Sequence, residues 1–300
     1  GFLGESKSEI LTRLGEADGR VARWCLLDPA GGEDAKLRDL QRFMNRENLG
    51  WPVVLKPDEG QRGLGVVLAD DPDEARDYLR GAKTPVIAQA YVPGVEFGVF
   101  YYRMPGEERG RIFSVTEKQP VSVTGDGEST LEELILADPR TVCMAPLFLK
   151  RFRHRLFEVP EVGCRIALVN VLAHCRGALF LDATRIAGPE MTEVFDRVVS
   201  GFEGFYFGRF DVRTESGEAL AAGRNFRILE VNGITSEATH IYDPAHGVFH
   251  AWRTLFRQWE IAFEIADANQ QQGARPMRKS AFLARWREAH RRHAAITGPV

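Results

Sequence analysis

The chain has 300 residues, of which 44% are hydrophobic and 27% charged, and its formal net charge is −3. This length allows one large domain or two to three small ones, and the composition suits a globular protein with a sizeable core. A net charge near zero gives no reason to expect a nucleic-acid or membrane-surface partner. No apolar run approaches the ~20 residues that a membrane-spanning helix needs, so no membrane span is predicted.

The N-terminus lacks the basic start and apolar block of a signal peptide. It also lacks a methionine, which predicts a processed or cut chain. The four cysteines form no CxxC pair and show no zinc-ligand spacing with histidine, so we predict reduced thiols in a cytoplasmic protein. Only seven of the 39 basic residues are lysine, so a lysine at a strand end or beside a glycine loop is informative.

The first ninety residues alternate between helical and extended patterns. In chain order the predicted elements are helix 5–14, strand 21–27, helix 33–48, strand 51–56, strand 66–69 and helix 72–79. Asp71 is the predicted N-cap of the last of these helices, with Pro72 at its first position. A glycine-rich loop at residues 60–65 connects the two short strands.

The rest of the chain begins with a strand-rich block and ends with helices. The predicted strands are 86–92, 96–103, 111–123, 165–173, 178–182, 205–214 and 226–232, the last two joined by a polar loop. The predicted helices are one that begins at a capping box formed by Ser129 and Glu132, helix 189–199, and most of the last fifty residues. The basic stretch at 278–292 is interpreted as a solvated helix face. Trp24, Trp51, Trp252 and the phenylalanines are predicted to lie in the core.

The first segment that indicates chemistry is the strand that ends at Lys56, together with the glycine loop after it. Glycines let backbone N–H groups approach phosphate oxygens, and lysine supplies a compact positive charge. The loop is not a P-loop, because no GK[ST] ends it, and it is not a dinucleotide fingerprint, because a strand follows it. Two interpretations remain open here: a lid over phosphates, and a plain hairpin turn.

The second segment is the apolar strand 86–92, which runs to an exposed Pro93-Gly94 turn with Glu96 just beyond it. Exposed backbone at such a hinge can bond a purine edge, and a carboxylate can accept hydrogen bonds from ribose hydroxyls. An ordinary β-hairpin is the alternative.

The third segment combines two alternating strands. Arg209, Asp211 and Arg213 share one strand face, and Glu230 and Asn232 share a face of the later strand. If these strands pair, the carboxylates of Asp211 and Glu230 converge with the Asn232 amide. Such oxygen ligands suit Mg²⁺, and Arg209 would face developing charge on a transferred phosphoryl group. A salt-bridged pair of edge strands is the alternative.

Taken in this order, the segments resemble the ATP-grasp superfamily over about residues 4–245, and within it the group of D-alanine–D-alanine ligase and cyanophycin and glutathione synthetases. The resemblance implies an α+β ATP-grasp fold, in which two α/β subdomains clamp ATP and the usual N-terminal α/β domain is missing or truncated. The implied segments are a remnant helix of the preceding domain at 1–20, a lid subdomain at 21–91, a C-terminal catalytic subdomain at 92–247 and a C-terminal helical extension at 248–300.

The resemblance also assigns site residues position by position. It implies nucleotide binding by Lys7, Lys56, Gly60, Arg62, Gly63, Gly65, Gln89, Tyr91, Val92 and Glu96. It implies metal binding by Asp211, Glu230 and Asn232, and catalytic roles for Arg209 and Lys118. The cofactors would be ATP and Mg²⁺, with Mn²⁺ as the alternative ion. The chain departs from the pattern at Arg62-Gly63, where D-alanine ligases carry serines, and at 174–178, where the synthetases have an Asn-rich glycine segment.

The implied function is an ATP-dependent carboxylate–amine ligase that works through an acylphosphate, with small-molecule carboxylate and amine substrates. Assembly as a homodimer is left open. An ATP-grasp phosphotransferase and a non-catalytic nucleotide-binding or assembly protein are the alternatives. His174, His240, Tyr242, Asp182 and Arg185 are candidates for lining the substrate site, and a structural role is the alternative for each.

Overall fold

In the computed structural model, residues 6–297 are described except residues 16, 18, 28, 29, 61, 62, 170, 171, 173, 175 and 176, with side chains as far as residue 288. Residue contacts divide the chain into two units: unit 1 comprises Gly1–Glu117 and Leu181–Val300, and unit 2 comprises Lys118–Phe180. The four segments implied by the resemblance have other boundaries and stay predictions.

Helices and strands are numbered in chain order. The helices are α1 (Lys7–Leu14), α2 (Glu33–Arg46), α3 (Pro72–Gly81), α4 (Leu131–Ala137), α5 (Ala145–Arg151), α6 (Pro189–Val199), α7 (Gly217–Ala221), α8 (Val248–Gln271) and α9 (Lys279–Thr297). The strands are β1 (Trp24–Leu27), β2 (Val53–Pro57), β3 (Val67–Ala69), β4 (Val86–Ala90), β5 (Val95–Tyr102), β6 (Arg111–Gln119), β7 (Ser122–Thr124), β8 (Arg165–Ala167), β9 (Leu179–Asp182), β10 (Phe207–Thr214) and β11 (Phe226–Asn232). The mixture confirms the predicted α+β class.

The first part of unit 1 is a four-stranded antiparallel sheet in the order β1-β4-β2-β3. The apolar sides of α2 and α3 pack on it through a core that includes Phe43, Leu55 and Leu79. Asp71 caps α3 as predicted, because its carboxylate accepts from the backbone N–H groups of the first turn, with Pro72 following.

The second part of unit 1 is built on a five-stranded sheet in the order β11-β10-β5-β6-β9, of which the last two residues of β6 and the first two of β9 are counted in unit 2. Its core contains Phe97, Phe195, Phe210 and Phe226, packed between the sheet and α6. The alternation in β10 and β11 sends these apolar side chains to the core face and leaves the polar residues on the other. The polar loop predicted between the two strands contains the short helix α7.

Unit 2 consists of the β7–β8 pair with α4 and α5, packed around residues such as Leu131, Ile135 and Phe148. The capping box of α4 was predicted one residue too early. Thr130 and Glu133 form it, because the Ser129 hydroxyl is used in a 2.7 Å hydrogen bond to Asp126. The sequence fits the capping-box pattern both at Ser129 with Glu132 and at Thr130 with Glu133. The hydrogen bond from Ser129 to Asp126 before the helix selects the second of these.

Three other predictions are corrected. The extended stretch 111–123 is broken into β6 and β7 at Pro120, which has no N–H for a ladder. The strand predicted at 165–173 covers only β8 among the described residues. Trp252 is 56% exposed rather than in the core, because α8 buries its opposite face, including Gln258, Ile261 and Ile265. No helix among the described residues is long and apolar enough to cross a membrane.

Candidate functional site

Lys56 lies at the end of β2 and joins the two sheets of unit 1. Its Nζ donates to Gln89 Oε1 on β4 at 2.8 Å and to the backbone carbonyl of Leu229 on β11 at 3.2 Å. Gln89 Nε2 donates to the same carbonyl at 3.2 Å. Both side chains are buried. The predicted lid-strand lysine is therefore held next to the strand that carries Glu230.

Lys7 begins α1 and lies at the start of the glycine loop. Its Nζ donates to the carbonyl oxygens of Gly60, Pro57 and Asp58 at 2.8, 3.4 and 3.4 Å. Asp58, which sequence reasoning missed, anchors the start of α1: its carboxylate accepts from the backbone N–H of Ser8 at 2.7 Å and from the hydroxyls of Ser6 and Ser8. These contacts link residues 50 or more positions apart, so local spacing gave no signal.

The glycine loop between β2 and β3 needs glycine at several positions. Gly60, Gly63 and Gly65 have φ values of 152°, 69° and 70°, a region that other residues rarely adopt. A Cβ on Gly65 would also lie 2.7 Å from Pro57 Cγ. Arg62 lies outside the described residues.

Asp211, Glu230, Asn232 and Arg209 come together as predicted from the strand alternation. β10 and β11 are antiparallel, with Asp211 opposite Glu230 and Arg209 opposite Asn232. Asn232 Nδ2 donates to Asp211 Oδ2 at 3.3 Å, and Arg209 Nε donates to Asp211 Oδ1 at 2.9 Å. A β-bulge after Asp211 shifts the register of the strand pair and bends it at this point.

Gly98 makes room for this cluster on the neighbouring strand. It lies opposite Asp211 in the β5–β10 pair. A Cβ there would lie 3.1 Å from Arg209 Cδ and 3.5 Å from Asp211 Oδ1. The missing side chain lets Arg209 and Asp211 lie flat across β5.

Glu96 forms an ion pair with Arg213. The sequence predicted the strand face that Arg213 occupies but did not predict this partner. Arg213 Nε donates to Glu96 Oε2 at 3.1 Å, and its Nη1 donates to the Val92 carbonyl at 3.0 Å. Its guanidinium also lies 5.4 Å from the centre of the Tyr91 ring. One arginine thus ties together three of the predicted hinge residues.

Burial of the site affects the pKa values of two cationic side chains. Burial lowers the pKa of the Lys56 ammonium below its ordinary value, a shift that the Glu230 carboxylate opposes and the Lys7 charge reinforces. For Arg209, burial acts to lower the pKa, but the ion pair with Asp211 outweighs it and keeps the pKa above its ordinary value.

The donor set fits a hard divalent cation. Two carboxylates directly opposite each other in a sheet repel unless positive charge lies between them. Asp211 and Glu230 are in this position, and Asn232 retains its amide oxygen as a further acceptor because its Nδ2 is the atom bonded to Asp211. Oxygen ligands of this kind are those that Mg²⁺ takes.

Three further candidates are Lys118, His174 and Tyr242. Lys118 belongs to unit 2, where its Nζ lies 5.8 Å from the centre of the Phe180 ring. His174, in the same unit, makes an edge contact with Phe180. The Tyr242 hydroxyl donates to Glu237 at 2.8 Å, and the Glu237 carbonyl accepts from Arg209.

Comparison with known proteins adds a family match. Residues 33–96 match the family described as RimK-like ATP-grasp domain. The matched stretch runs from α2 through β4 into β5, and it includes Lys56, Gln89 and Glu96.

Two relatives are cyanophycin synthetases. The protein of Geminocystis herdmanii is 35% identical over 92 residues, which cover 29% of this chain and 10% of the relative. That of Trichormus variabilis is 24% identical over 219 residues, which cover 66% of this chain and 23% of the relative. The chain thus spans less than a quarter of the length of either relative.

Among solved structures, the D-alanine–D-alanine ligase of Bacillus anthracis aligns with 91% of this chain and 70% of its own, at 12% identity and a TM-score of 0.49. This likeness is too distant to assign chemistry. The family match does not depend on it: over residues 33–96, a match to the RimK-like ATP-grasp domain confirms the resemblance to the ATP-grasp superfamily.

Proposed function

We propose that this chain carries out ATP-dependent ligation of a carboxylic acid to an amine. In this reaction the γ-phosphoryl group of ATP is transferred to a carboxylate oxygen, which releases ADP and forms an acylphosphate. The amine then attacks the acyl carbon, the C–O bond to phosphate breaks, and inorganic phosphate leaves with formation of the amide. Small-molecule carboxylate and amine substrates fit the cyanophycin synthetase relatives.

The proposal rests mainly on one contact between segments that are distant in the sequence. The lysine at the end of β2 and the carboxylate pair on β10 and β11 come from segments about 170 residues apart, yet Lys56 donates to the carbonyl next to Glu230. A buried cation beside a cluster of oxygen ligands is the arrangement that phosphoryl transfer requires, since it depends on clamped phosphates and neutralised charge.

We assign the metal to the same cluster. Asp211, Glu230 and Asn232 would hold Mg²⁺, with Mn²⁺ as the alternative, and the ion would neutralise charge on the ATP phosphates. Side chains of the protein would contact the phosphate oxygens and the reacting phosphoryl group. Lys56 and Lys7 would bind phosphate oxygens, and Arg209 would stabilise charge on the reacting phosphoryl group.

The nucleotide's other end would lie at the hinge after β4. The Glu96 carboxylate would accept from ribose hydroxyls, and Arg213 would orient it through the ion pair described above. The glycine loop would cover the phosphates and exclude water from the acylphosphate. Arg62 and Lys118 stay in the proposed site as predictions from the resemblance.

The first test compares variants of the carboxylate pair. Asp211→Asn and Glu230→Gln should each reduce magnesium-dependent ATP turnover by more than about a hundredfold, since each removes an anionic ligand from the metal. Phosphate release is measured against pools of amino acids. Glu108→Gln, which changes an exposed carboxylate, is the matched control and should turn over normally.

Normal turnover in either site variant would contradict the metal assignment. Hydroxylamine separates the reaction classes, because it traps an acylphosphate as a hydroxamate. A stable phosphoester in its place would identify a phosphotransferase, and nucleotide binding without turnover of any acid–amine pair would identify a binding protein.

We also propose a cytoplasmic location and a homodimer. The location is supported by Cys25, Cys143 and Cys164, which are free thiols and suit a reducing compartment. The homodimer is supported by a row of exposed aromatic side chains on α8, made up of Phe249, Trp252, Phe256, Trp259 and Phe263.

A further inference from the structure

A second group of ligand-type side chains lies in unit 1, where β9 ends and α8 begins. Asp182 is the last residue of β9, and His246 and His250 flank the start of α8. One ligand atom from each lies within 4.8 Å of the other two. The group contains two imidazoles and a carboxylate, whereas the proposed magnesium ligands are all oxygens.

Distances within this group suit coordination to a single ion. His246 Nε2 lies 2.8 Å from Asp182 Oδ2. Two ligand atoms that each lie about 2.0–2.1 Å from one tetrahedral metal ion are separated by about 3.3 Å, so these two atoms would move apart by about half an ångström on binding. The rings of His246 and His250 are stacked with their centres 3.9 Å apart. His250 Nε2 is buried and has no hydrogen-bond partner among the described residues.

The carboxylate of Asp182 is oriented by the backbone around it. Asp182 Oδ1 accepts from the Thr184 N–H at 2.8 Å, which leaves Oδ2 directed to His246. The backbone N–H of Asp182 donates to Asp243 Oδ2 at 2.6 Å, and Asp243 Oδ1 accepts from the Ala245 N–H at 2.8 Å. Such outer hydrogen bonds hold metal ligands in place in known sites.

A third histidine adjoins the group. His240 is only 6% exposed, and its ring centre lies 6.2 Å from that of His246 and 5.7 Å from that of His250. Its Nδ1 is buried without a hydrogen-bond partner in the described part of the chain. An unsatisfied buried imidazole nitrogen costs free energy, so its presence beside two more histidines calls for a ligand.

We propose that Asp182, His246 and His250 bind a divalent transition-metal ion, for which Zn²⁺ is the best match, and that His240 adjoins this three-residue site. Nitrogen and carboxylate oxygen ligands in this number are typical of zinc sites. The ion would tie β9 to the start of α8 and to the segment between β11 and α8. The proposal does not depend on the ligase assignment, because none of these residues belongs to the proposed ATP site.

The test uses the full chain after removal of metals with EDTA. Titration with Zn²⁺ by calorimetry, with excess Mg²⁺ present to occupy the oxygen-ligand site, should give one site per chain, and Co²⁺ in a tetrahedral site should produce intense visible absorption bands. Bound Zn²⁺ should also raise the unfolding temperature, since a ligand that binds only the folded state stabilises it.

Single-residue variants identify which side chains bind the ion. His246→Ala and His250→Ala should each weaken zinc binding at least tenfold and abolish the cobalt bands, whereas His154→Ala, at an exposed histidine in unit 2, should bind as the wild type does. Asp211→Asn should also retain the site. His246→Gln, which keeps a similar side-chain size and a hydrogen-bonding group, replaces His246→Ala if that variant fails to fold. Circular dichroism monitors the fold of each variant.

Two outcomes would overturn the proposal. The first is the absence of zinc uptake by the wild type, which would leave Asp182 and His246 as an ordinary ion pair. The second is zinc uptake that survives in both folded histidine variants or disappears in Asp211→Asn. Either result leaves the ligase proposal untouched, because that proposal is tested by ATP turnover.

Discussion

At the scale of single residues, Lys56 is a buried cation of the proposed site. It is 5% exposed, and a buried ammonium is costly unless hydrogen bonds and opposite charge compensate it. Gln89 and the Leu229 carbonyl supply the hydrogen bonds, and Glu230 supplies the charge. A polyphosphate would add further negative charge here, so the cost of burial favours an anionic ligand.

Replacement of Lys56 by methionine should therefore weaken nucleotide binding. A hydrogen bond to a charged group contributes about 1.5–3 kcal/mol, which corresponds to about tenfold to a hundredfold in the dissociation constant. Calorimetry with ATP and Mg²⁺ measures the change. Lys83→Met, at an exposed lysine in the turn after α3, is the control. Unchanged affinity in Lys56→Met would remove this residue from the site.

Cys25 on β1 should be the least reactive of the described cysteines at neutral pH. Burial raises the pKa of its thiol to about 11, although Arg46 opposes the shift. At pH 8 only about one thiol in a thousand would then be the reactive thiolate. Because that fraction rises about tenfold for each pH unit below the pKa, alkylation should accelerate from pH 8 to pH 9.

Iodoacetamide labelling followed by peptide mass spectrometry checks the order of reaction. Cys143 and Cys164, which are exposed, should label first, and all three should label at similar rates in guanidinium. Equal rates in the folded protein would show that the thiol of Cys25 is accessible and ionised.

At the scale of elements, the β5–β10–β11 ladder positions the proposed metal ligands. Gly98→Val should push the Arg209 and Asp211 side chains away from β5, because even a Cβ lies 3.1 Å from Arg209 Cδ. A displacement of about 1 Å in such a site costs about a hundredfold in rate. Magnesium-dependent turnover is the measurement, with circular dichroism as the check on folding.

Gly81→Val is the matched control, because a Cβ at Gly81 meets nothing within 4 Å. Full activity in a folded Gly98→Val protein would indicate that Arg209 and Asp211 act in other positions than those observed. Loss of activity in both variants would instead point to a general loss of stability.

The sequence predicted those parts of the site that follow from local periodicity. Alternation in β10 and β11 placed Arg209, Asp211, Glu230 and Asn232 on shared faces, and the pairing of these strands agrees with it. The contacts of Asp58 with α1 and of Arg213 with Glu96 were missed, because they join residues 50 and 117 positions apart. Periodicity describes which face a side chain occupies but not which distant residue it meets.

Local ambiguity explains the errors in the elements. Two overlapping capping patterns preceded α4, and only the Ser129–Asp126 hydrogen bond distinguishes them. On α8, aromatic residues were predicted to be buried on the basis of residue type alone. The helix instead buries Thr254, Gln258 and Ile261, since Gln258 accepts from the Ala238 N–H and donates to the Ser236 carbonyl.

At the scale of the whole molecule, the proposed homodimer rests on the exposed aromatic face of α8. Its aromatic residues at 249, 252, 256, 259 and 263 are separated by alternating steps of three and four, the spacing of a coiled-coil seam. Phe249, Phe256 and Phe263 are each at least 75% exposed. Contiguous apolar surface of this kind marks an interaction site.

Charges beside the aromatic row favour a second copy of this chain as the partner. Arg253 follows Trp252 and Glu260 follows Trp259, so both charges lie on the same side of the row, seven residues apart. In an antiparallel pair of α8 helices related by a two-fold axis, Arg253 of each copy would lie against Glu260 of the other, which also pairs with Arg257 of its own helix at 2.6 Å. The same surface patch is then complementary to itself.

A charge exchange tests this antiparallel pair. Arg253→Glu and Glu260→Arg should each weaken the dimer, because like charges then face each other twice across the interface, and the double variant should restore it. Sedimentation over a range of concentrations measures the dissociation constant. Arg38→Glu, at an exposed arginine on α2, controls for net charge, and Phe256→Glu should yield monomers by placing a charge in the apolar seam. A wild-type chain that stays monomeric, or single variants that dimerise as tightly as the wild type, would mean that this face is covered by something other than a second α8.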